Sequence, residues 1–259
     1  MRIDLAEKRI LISGATSGIG RAIALACAEA GADVAFCGLT EEGAEEVKMA
    51  IEASGRRAYF EVLDVGDLEG CHAFVDRAAG VLGGLDGVVN NAGTNFNHGV
   101  LGATAAQIDR CFRVNFYSAW AMAQAAHPYL KAAGRGIVVN ISSIHATQTM
   151  PGAFPYNASK AAMSALTQSI AMEWAADNIL SVAIAPGWTL TPLNTNAFDT
   201  HPDPGAERRR IDEAHLLGRM ARPEDIASFA VYLLSDANGS MNGNTVMIDG
   251  GQHTRAYPH

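Results

Sequence analysis

The sequence predicts an α/β protein: a doubly wound, mostly parallel sheet of seven strands with helices on both faces. Three observations lead there. Short apolar, β-branched runs alternate with amphipathic helical stretches almost from end to end. The runs are apolar throughout rather than at every second residue, as strands buried on both faces require. The chain has 259 residues, 49% of them hydrophobic and only 18% charged. That suits a single domain, 1–259, with a large core, since α/β units of ~250 residues commonly form one domain.

The elements follow in order. Arg9–Ser13 is the first strand, and a Gly-rich turn leads from it into a helix, Ile19–Ala30. Gly31 ends that helix, because glycine accepts the left-handed backbone of a helix C-terminus. Val34–Cys37 is the second strand, and Glu41–Ser54 a helix closed by Gly55. Strands are expected at Ala58–Leu63, Leu85–Val89, Ile137–Ile141, Leu180–Ala185 and Thr245–Ile248, with helices at Leu68–Leu82, Ala105–Ala132, Tyr156–Asp177 and Pro223–Leu234. Right-handed crossovers between parallel strands place a ligand crevice at their carboxyl ends. Residues 194–215 break the rhythm with prolines and the run Glu207-Arg208-Arg209-Arg210. They read as a surface excursion, either a substrate lid or an inert loop leading into a solvated helix. The tail Gly250–Arg255 reads as a frayed terminus.

Composition narrows the function. Nineteen basic against 27 acidic residues give a net charge of −8, which argues against nucleic acid as a partner. No apolar run reaches the ~18 residues of a membrane span, and Met1–Leu5 has no apolar signal core, so a cytoplasmic location is expected. Cys27, Cys37, Cys71 and Cys111 show no CxxC pairing and read as buried free thiols. The eight histidines include no HxxxH or HExxH pair, so no metal site is expected. A Gly-x-Ser-x-Gly elbow is absent too, which disfavours a serine hydrolase.

Chemistry gathers at the predicted carboxyl edge. In Ser13-Gly14-Ala15-Thr16-Ser17-Gly18-Ile19-Gly20 the glycines let the backbone approach a diphosphate, and the helix N-terminus offers free N–H groups. Asp64-Val65 closes the third strand and Asn90-Asn91-Ala92-Gly93 the fourth, where amide and carboxylate groups can meet adenine and ribose or serve as ordinary turn residues. Tyr156 and Lys160 stand four residues apart, on one face of a helix. An ammonium near a phenol pulls its pKa down from ~10 and makes it usable as a general acid and base. Ser142-Ser143 ends the strand before that helix, where a hydroxyl could polarise a substrate oxygen. Asn115 is a polar residue between Val114 and Phe116 inside the long helix, open to a buried structural or a catalytic role.

Together these residues resemble the short-chain dehydrogenase/reductase family over essentially the whole chain. The shared motifs are a Thr-Gly-x3-Gly-x-Gly turn with Ser13 in place of Thr, Asn-Asn-Ala-Gly, a serine, Tyr-x3-Lys, and Pro186-Gly187-Trp188-Thr189-Leu190-Thr191-Pro192. The family's usual serine-to-tyrosine interval selects Ser143 over Ser142. The resemblance implies a single-domain Rossmann fold and a nicotinamide-dependent oxidoreductase acting on a secondary alcohol or its carbonyl. It implies Ser143, Tyr156, Lys160 and Asn115 as catalytic residues. The implied cofactor residues are Gly14, Ser17, Gly18, Ile19, Gly20, Leu39, Asp64, Val65, Asn91, Ala92, Gly93, Pro186, Gly187, Thr189 and Thr191, besides Tyr156 and Lys160.

Cofactor choice departs from both family patterns, because Gly38-Leu39-Thr40 ends the second strand with neither an acid nor a base. A 2′-phosphate needs a cation, ideally Arg, so NAD is expected, with NADP not excluded. Ser143, His145, Tyr156, Trp188 and Asn95 are candidate substrate contacts, with Asn97, His98 and Gln148 nearby. Amides, imidazoles and an indole suit a sugar or polyol; the rivals are a 3-oxoacyl-carrier-protein reductase, a hydroxysteroid dehydrogenase and an inactive nucleotide-binding scaffold. Small residues after Tyr156, among them Ala158, Ala161 and Ala165, permit close helix packing, and the family implies a homotetramer.

Overall fold

A computed structural model describes residues 3–199 and 201–254. Seven parallel strands form one sheet in the order β3-β2-β1-β4-β5-β6-β7: β1 Arg9–Ser13, β2 Asp33–Gly38, β3 Ala58–Val62, β4 Gly87–Asn90, β5 Gly136–Ile141, β6 Ile179–Pro186 and β7 Thr245–Ile248. The helices are α1 Gly18–Glu29, α2 Ala44–Ala53, α3 Leu68–Leu82, α4 Ala105–Phe112, α5 Ser118–Ala132, α6 Tyr156–Glu173, α7 Pro192–Asp199, α8 Pro204–Ala214 and α9 Pro223–Leu234.

The continuous apolar strands have the expected cause. Ile10 and Ile12 pack with α1, α2 and α9 in one core, while Leu11 packs on the opposite face with α3, α5 and α6. All three are fully buried, each worth about 1.5–3 kcal/mol against exposure. β1 pairs with both β2 and β4, so strand order reverses between β1 and β4. That switch opens a crevice above their carboxyl ends.

Four expectations change. The helix foreseen at Ala105–Ala132 is two helices joined by a π turn, Arg113–Tyr117, which carries Asn115. Glu41–Gly43 lie outside α2, because Gly43 adopts a left-handed backbone (φ 75°) before Ala44. The 194–215 excursion folds mainly as α7 and α8, and Phe198, Ile211 and Met220 form a third apolar cluster against Trp188 and Leu190. Thr200 lies outside the described residues. The tail does not fray at once: the Asp249 carboxylate accepts hydrogen bonds from Gly251 N (3.1 Å) and His253 N (2.7 Å) and holds a short turn, Gln252–Thr254. Arg255 lies outside the described residues.

Candidate active site

The crevice is a cleft of about 440 Å3, within the ~300–1,000 Å3 typical of ligand sites. The β1–α1 turn forms its middle. Gly14 and Gly18 both have left-handed backbones, φ 66° and 57°. Gly20 is needed for space, since a Cβ there would collide with the Gly14 carbonyl and Asn91 Nδ2. Asn91 clamps the turn by donating to the carbonyls of Ser13 (3.0 Å) and Gly14 (2.8 Å). Ser13 Oγ accepts from the backbone N–H groups of Asn91 (3.1 Å) and Ala92 (3.0 Å), so serine supplies the hydroxyl where threonine is usual. Ser17 stands at the N-cap of α1 with no side-chain capping bond, and the first turn carries no acid. The helix dipole and unpaired N–H groups therefore face the cleft uncompensated, as a bound diphosphate requires.

At one end, β5 and α6 bring Ser143, Tyr156 and Lys160 together. The two serines separate clearly. Ser142 Oγ donates to the Lys160 carbonyl at 2.9 Å, whereas Ser143 Oγ accepts from His145 N (3.2 Å) and stands close enough to the Tyr156 phenol to pull its pKa down. Lys160 is 4% exposed; its Nζ donates to the Ile141 carbonyl at 2.8 Å and lies 5.8 Å from the centre of the Tyr156 ring. A Cβ on Gly93 would sit 3.3 Å from Lys160 Nζ and 3.1 Å from Asn115 Oδ1, so glycine keeps the approach to the ammonium open. Asn115 is buried: Oδ1 accepts from Thr94 N (3.0 Å), and Nδ2 donates to Thr94 O and Ser159 Oγ (3.1 Å each). The π turn aims this amide across to α6, and such turns recur at functional sites.

Electrostatics correct one expectation. Desolvation raises the Tyr156 phenol above its ordinary value, opposed by the Ser143 hydrogen bond. Burial pushes Lys160 down to about 8. The ammonium was expected to dominate; with Nζ bonded to Ile141 rather than to the phenol oxygen, low polarity governs both groups. His145 is likewise pushed down by burial and packs edge-on to Tyr156, ring centres 6.0 Å apart.

Most residues expected from the sequence line this cleft, among them Leu39, Val65, Ala92, Asn95, Pro186, Gly187, Trp188, Thr189 and Thr191. Asp64, Gly20, Asn115, His98 and Gln148 stand outside its lining. Asp64 is paired with Arg110 at 2.9 Å. Among the lining residues that sequence reasoning missed are Arg110, Val114 and Met150. Arg110 and Val114 stand four residues apart, the spacing of one helix face, and could have been found from it; Met150 carries no motif.

The fold and this arrangement define a nicotinamide-dependent oxidoreductase acting on CH–OH groups. A family model described as enoyl-(acyl carrier protein) reductase matches residues 14–253. The 4-formylbenzenesulfonate dehydrogenase of Comamonas testosteroni is 36% identical, over 97% of this chain and 100% of that protein. L-rhamnose 1-dehydrogenase (NAD(P)+) of Sphingomonas is 34% identical, over 96% of this chain and 97% of that one. A solved 7α-hydroxysteroid dehydrogenase, complexed with NADH and 7-oxo glycochenodeoxycholic acid, superposes with a TM-score of 0.88 at 29% identity, covering 96% of each chain. The chain belongs to the short-chain dehydrogenase/reductase family. Its cofactor is NAD(P), its substrates are small molecules, and among the described residues no helix is long and apolar enough to cross a membrane.

Proposed function

We propose that this protein is an NAD-preferring dehydrogenase of a neutral sugar or polyol, working as one domain with Tyr156 as its proton-exchanging group. The convergence of Ser143, Tyr156 and Lys160 at one end of the cleft carries the reading. Bound nicotinamide supplies or accepts the hydride. Ser143 orients the substrate oxygen, and Tyr156 gives that oxygen its proton in reduction or takes it in oxidation. Lys160 would hold the ribose hydroxyls, with its Nζ 5.8 Å from the Tyr156 ring centre. Asn115 ties the 94–97 loop to α6 and keeps this group in register. Gly14, Ser17, Gly18 and Ile19 would hold the diphosphate, Val65, Ala92 and Leu39 the adenosine, and Pro186, Gly187, Thr189 and Thr191 the nicotinamide.

Substrate class follows from the charge of the lining. Arg110 and Lys160 are its only Lys, Arg, Asp or Glu side chains among the described residues. With Lys160 buried behind the reacting groups, no Lys or Arg among the described residues remains at the substrate end to hold a carboxylate or sulfonate. Asn95, Asn97, Asn194, His145 and Trp188 offer neutral hydrogen bonds and a flat wall instead. Met150 and Leu193, 41% and 48% exposed at the mouth, favour a second reading, an alicyclic alcohol such as a hydroxysteroid.

NAD preference is supported at the end of β2. Leu39 is 67% exposed, and Glu41, Glu42, Glu45 and Glu46 follow it, all exposed. Among the described residues no Lys or Arg of the β2–α2 stretch lines the cleft, so nothing there would pair with a 2′-phosphate. The exposed Tyr117 of the π turn, Trp120 on α5 and Met172 on α6 support a homotetramer built through α5 and α6; a cytoplasmic location is part of the same proposal. The deciding experiment follows nicotinamide absorbance with NAD and NADP against aldoses, polyols, hydroxysteroids and acetoacetyl thioesters. Turnover of an aldose or polyol with NAD is expected; turnover of thioesters alone would overturn the substrate class.

A further inference from the structure

We propose that His145 determines specificity by reading a hydroxyl on the carbon next to the one being oxidised, so that the substrate is a vicinal diol or the matching α-hydroxy carbonyl compound. The proposal rests on the sugar or polyol reading and narrows it. His145 lines the cleft two residues after Ser143, and its backbone N–H donates to Ser143 Oγ at 3.2 Å. Its ring meets the Tyr156 ring edge-on, with centres 6.0 Å apart and planes at 73°. The imidazole therefore stands beside both hydroxyls assigned to the reacting oxygen. A group one carbon away from that oxygen is the part of a substrate it can reach.

This imidazole is not spent on holding the fold. His127, His215 and His253 each commit a ring nitrogen to a protein partner: the Asp177 carboxylate (2.9 Å), the Ile211 carbonyl (2.8 Å) and the Asp249 carboxylate (2.7 Å). Nδ1 of His145 is buried and has no partner among the described residues. Leaving a buried nitrogen unpaired costs stability, and a purely structural position would favour an apolar ring. Nε2 is not closed off in the same way, so it is the nitrogen a substrate can meet.

Burial pushes the imidazole below its ordinary pKa, which keeps the ring neutral at pH 7 with one N–H to give. Nδ1 is the poorer place for that proton, because orphaned buried N–H groups are rare; the proton belongs on Nε2. A neutral N–H suits a hydroxyl oxygen. It does not offset the charge of a carboxylate, whose burial without a cation is costly, so a 1,2-diol is taken and a 2-hydroxy acid rejected. A substrate with only carbon at this place leaves the N–H unpaired, which is how sites reject analogues lacking a hydroxyl.

The test measures kcat/KM with NAD for propan-2-ol, propane-1,2-diol and lactate, which carry methyl, hydroxymethyl and carboxylate on the same reacting carbinol. Glucose and galactose beside their 2-deoxy forms make a second set. The wild type is expected to favour each hydroxyl-bearing member about tenfold or more, the worth of one hydrogen bond to a buried group. His145→Leu should bring those ratios to within about twofold of unity, and His145→Gln, which keeps a neutral N–H, should retain most of them. A wild type that turns over propan-2-ol or lactate as well as the diol, or a His145→Leu variant with the wild-type ratios, overturns the proposal and leaves the dehydrogenase standing. If the wild type turns over no member of either set, the sugar or polyol reading falls and this proposal falls with it.

Discussion

The two ends of the cleft are built on different principles. At the nicotinamide end the polar groups are buried and bonded several times over: Asn115, Ser143 and Lys160 are 1%, 5% and 4% exposed, tied to the backbone of residues 94 and 141 and to α6. At the adenosine end the side chains stand in water, with Leu39 67% exposed and the Arg110–Asp64 pair 44% and 47% exposed. The difference separates chemistry from selection. Proton exchange needs a dry, fixed environment, and burying its groups costs stability. Cofactor choice needs only side chains within reach of the ligand, and exposed ones can be exchanged with little effect on the fold.

Substitutions should reveal that contrast, and after Tyr156 the strongest response belongs to Lys160. Lys160→Met should lower turnover by about 10²–10⁴-fold while raising Tm by roughly 2–4 °C, because it removes a buried ammonium. Calorimetry across pH checks the cause. Lys160 releases its proton near 8 in the folded chain and near the ordinary lysine value when unfolded. Between those values the unfolded chain binds more protons, so wild-type stability rises with pH and the advantage of the variant shrinks. A variant less stable than the wild type at pH 7 would break the contrast. Ser143→Ala comes next, with turnover about 10²-fold lower and dinucleotide affinity unchanged in a fluorescence titration.

At the exposed end Leu39→Arg should leave Tm within about 1 °C, as surface changes do. It should shift the NADP-to-NAD ratio of kcat/KM upward by about ten- to a hundredfold, since it adds a cation for the 2′-phosphate. Steady-state kinetics with both cofactors measure it. An unchanged ratio would place the 2′-position away from residue 39.

What could be read in advance follows the same division. The alternation of strands and helices, the glycine turn and the Tyr156–Lys160 pair are set by short-range spacing, so the residues display them directly. The π turn at Asn115 was invisible, because nothing in the apolar pattern of Ala105–Ala132 marks a one-residue widening. Arg110 was missed because its partner, Asp64, is 46 residues away. The pKa of Tyr156 was misjudged because spacing shows that Lys160 is near but not that the Ile141 carbonyl holds its ammonium.

The most direct measurement is turnover and reduced-dinucleotide affinity, determined side by side for wild type and Tyr156→Phe. Turnover is expected to fall by at least about 10³-fold, the contribution of a positioned acid–base group, with affinity within about twofold and an unchanged fold by circular dichroism. A phenylalanine variant that keeps near-wild-type turnover would contradict the account, since the proton would then travel by another route.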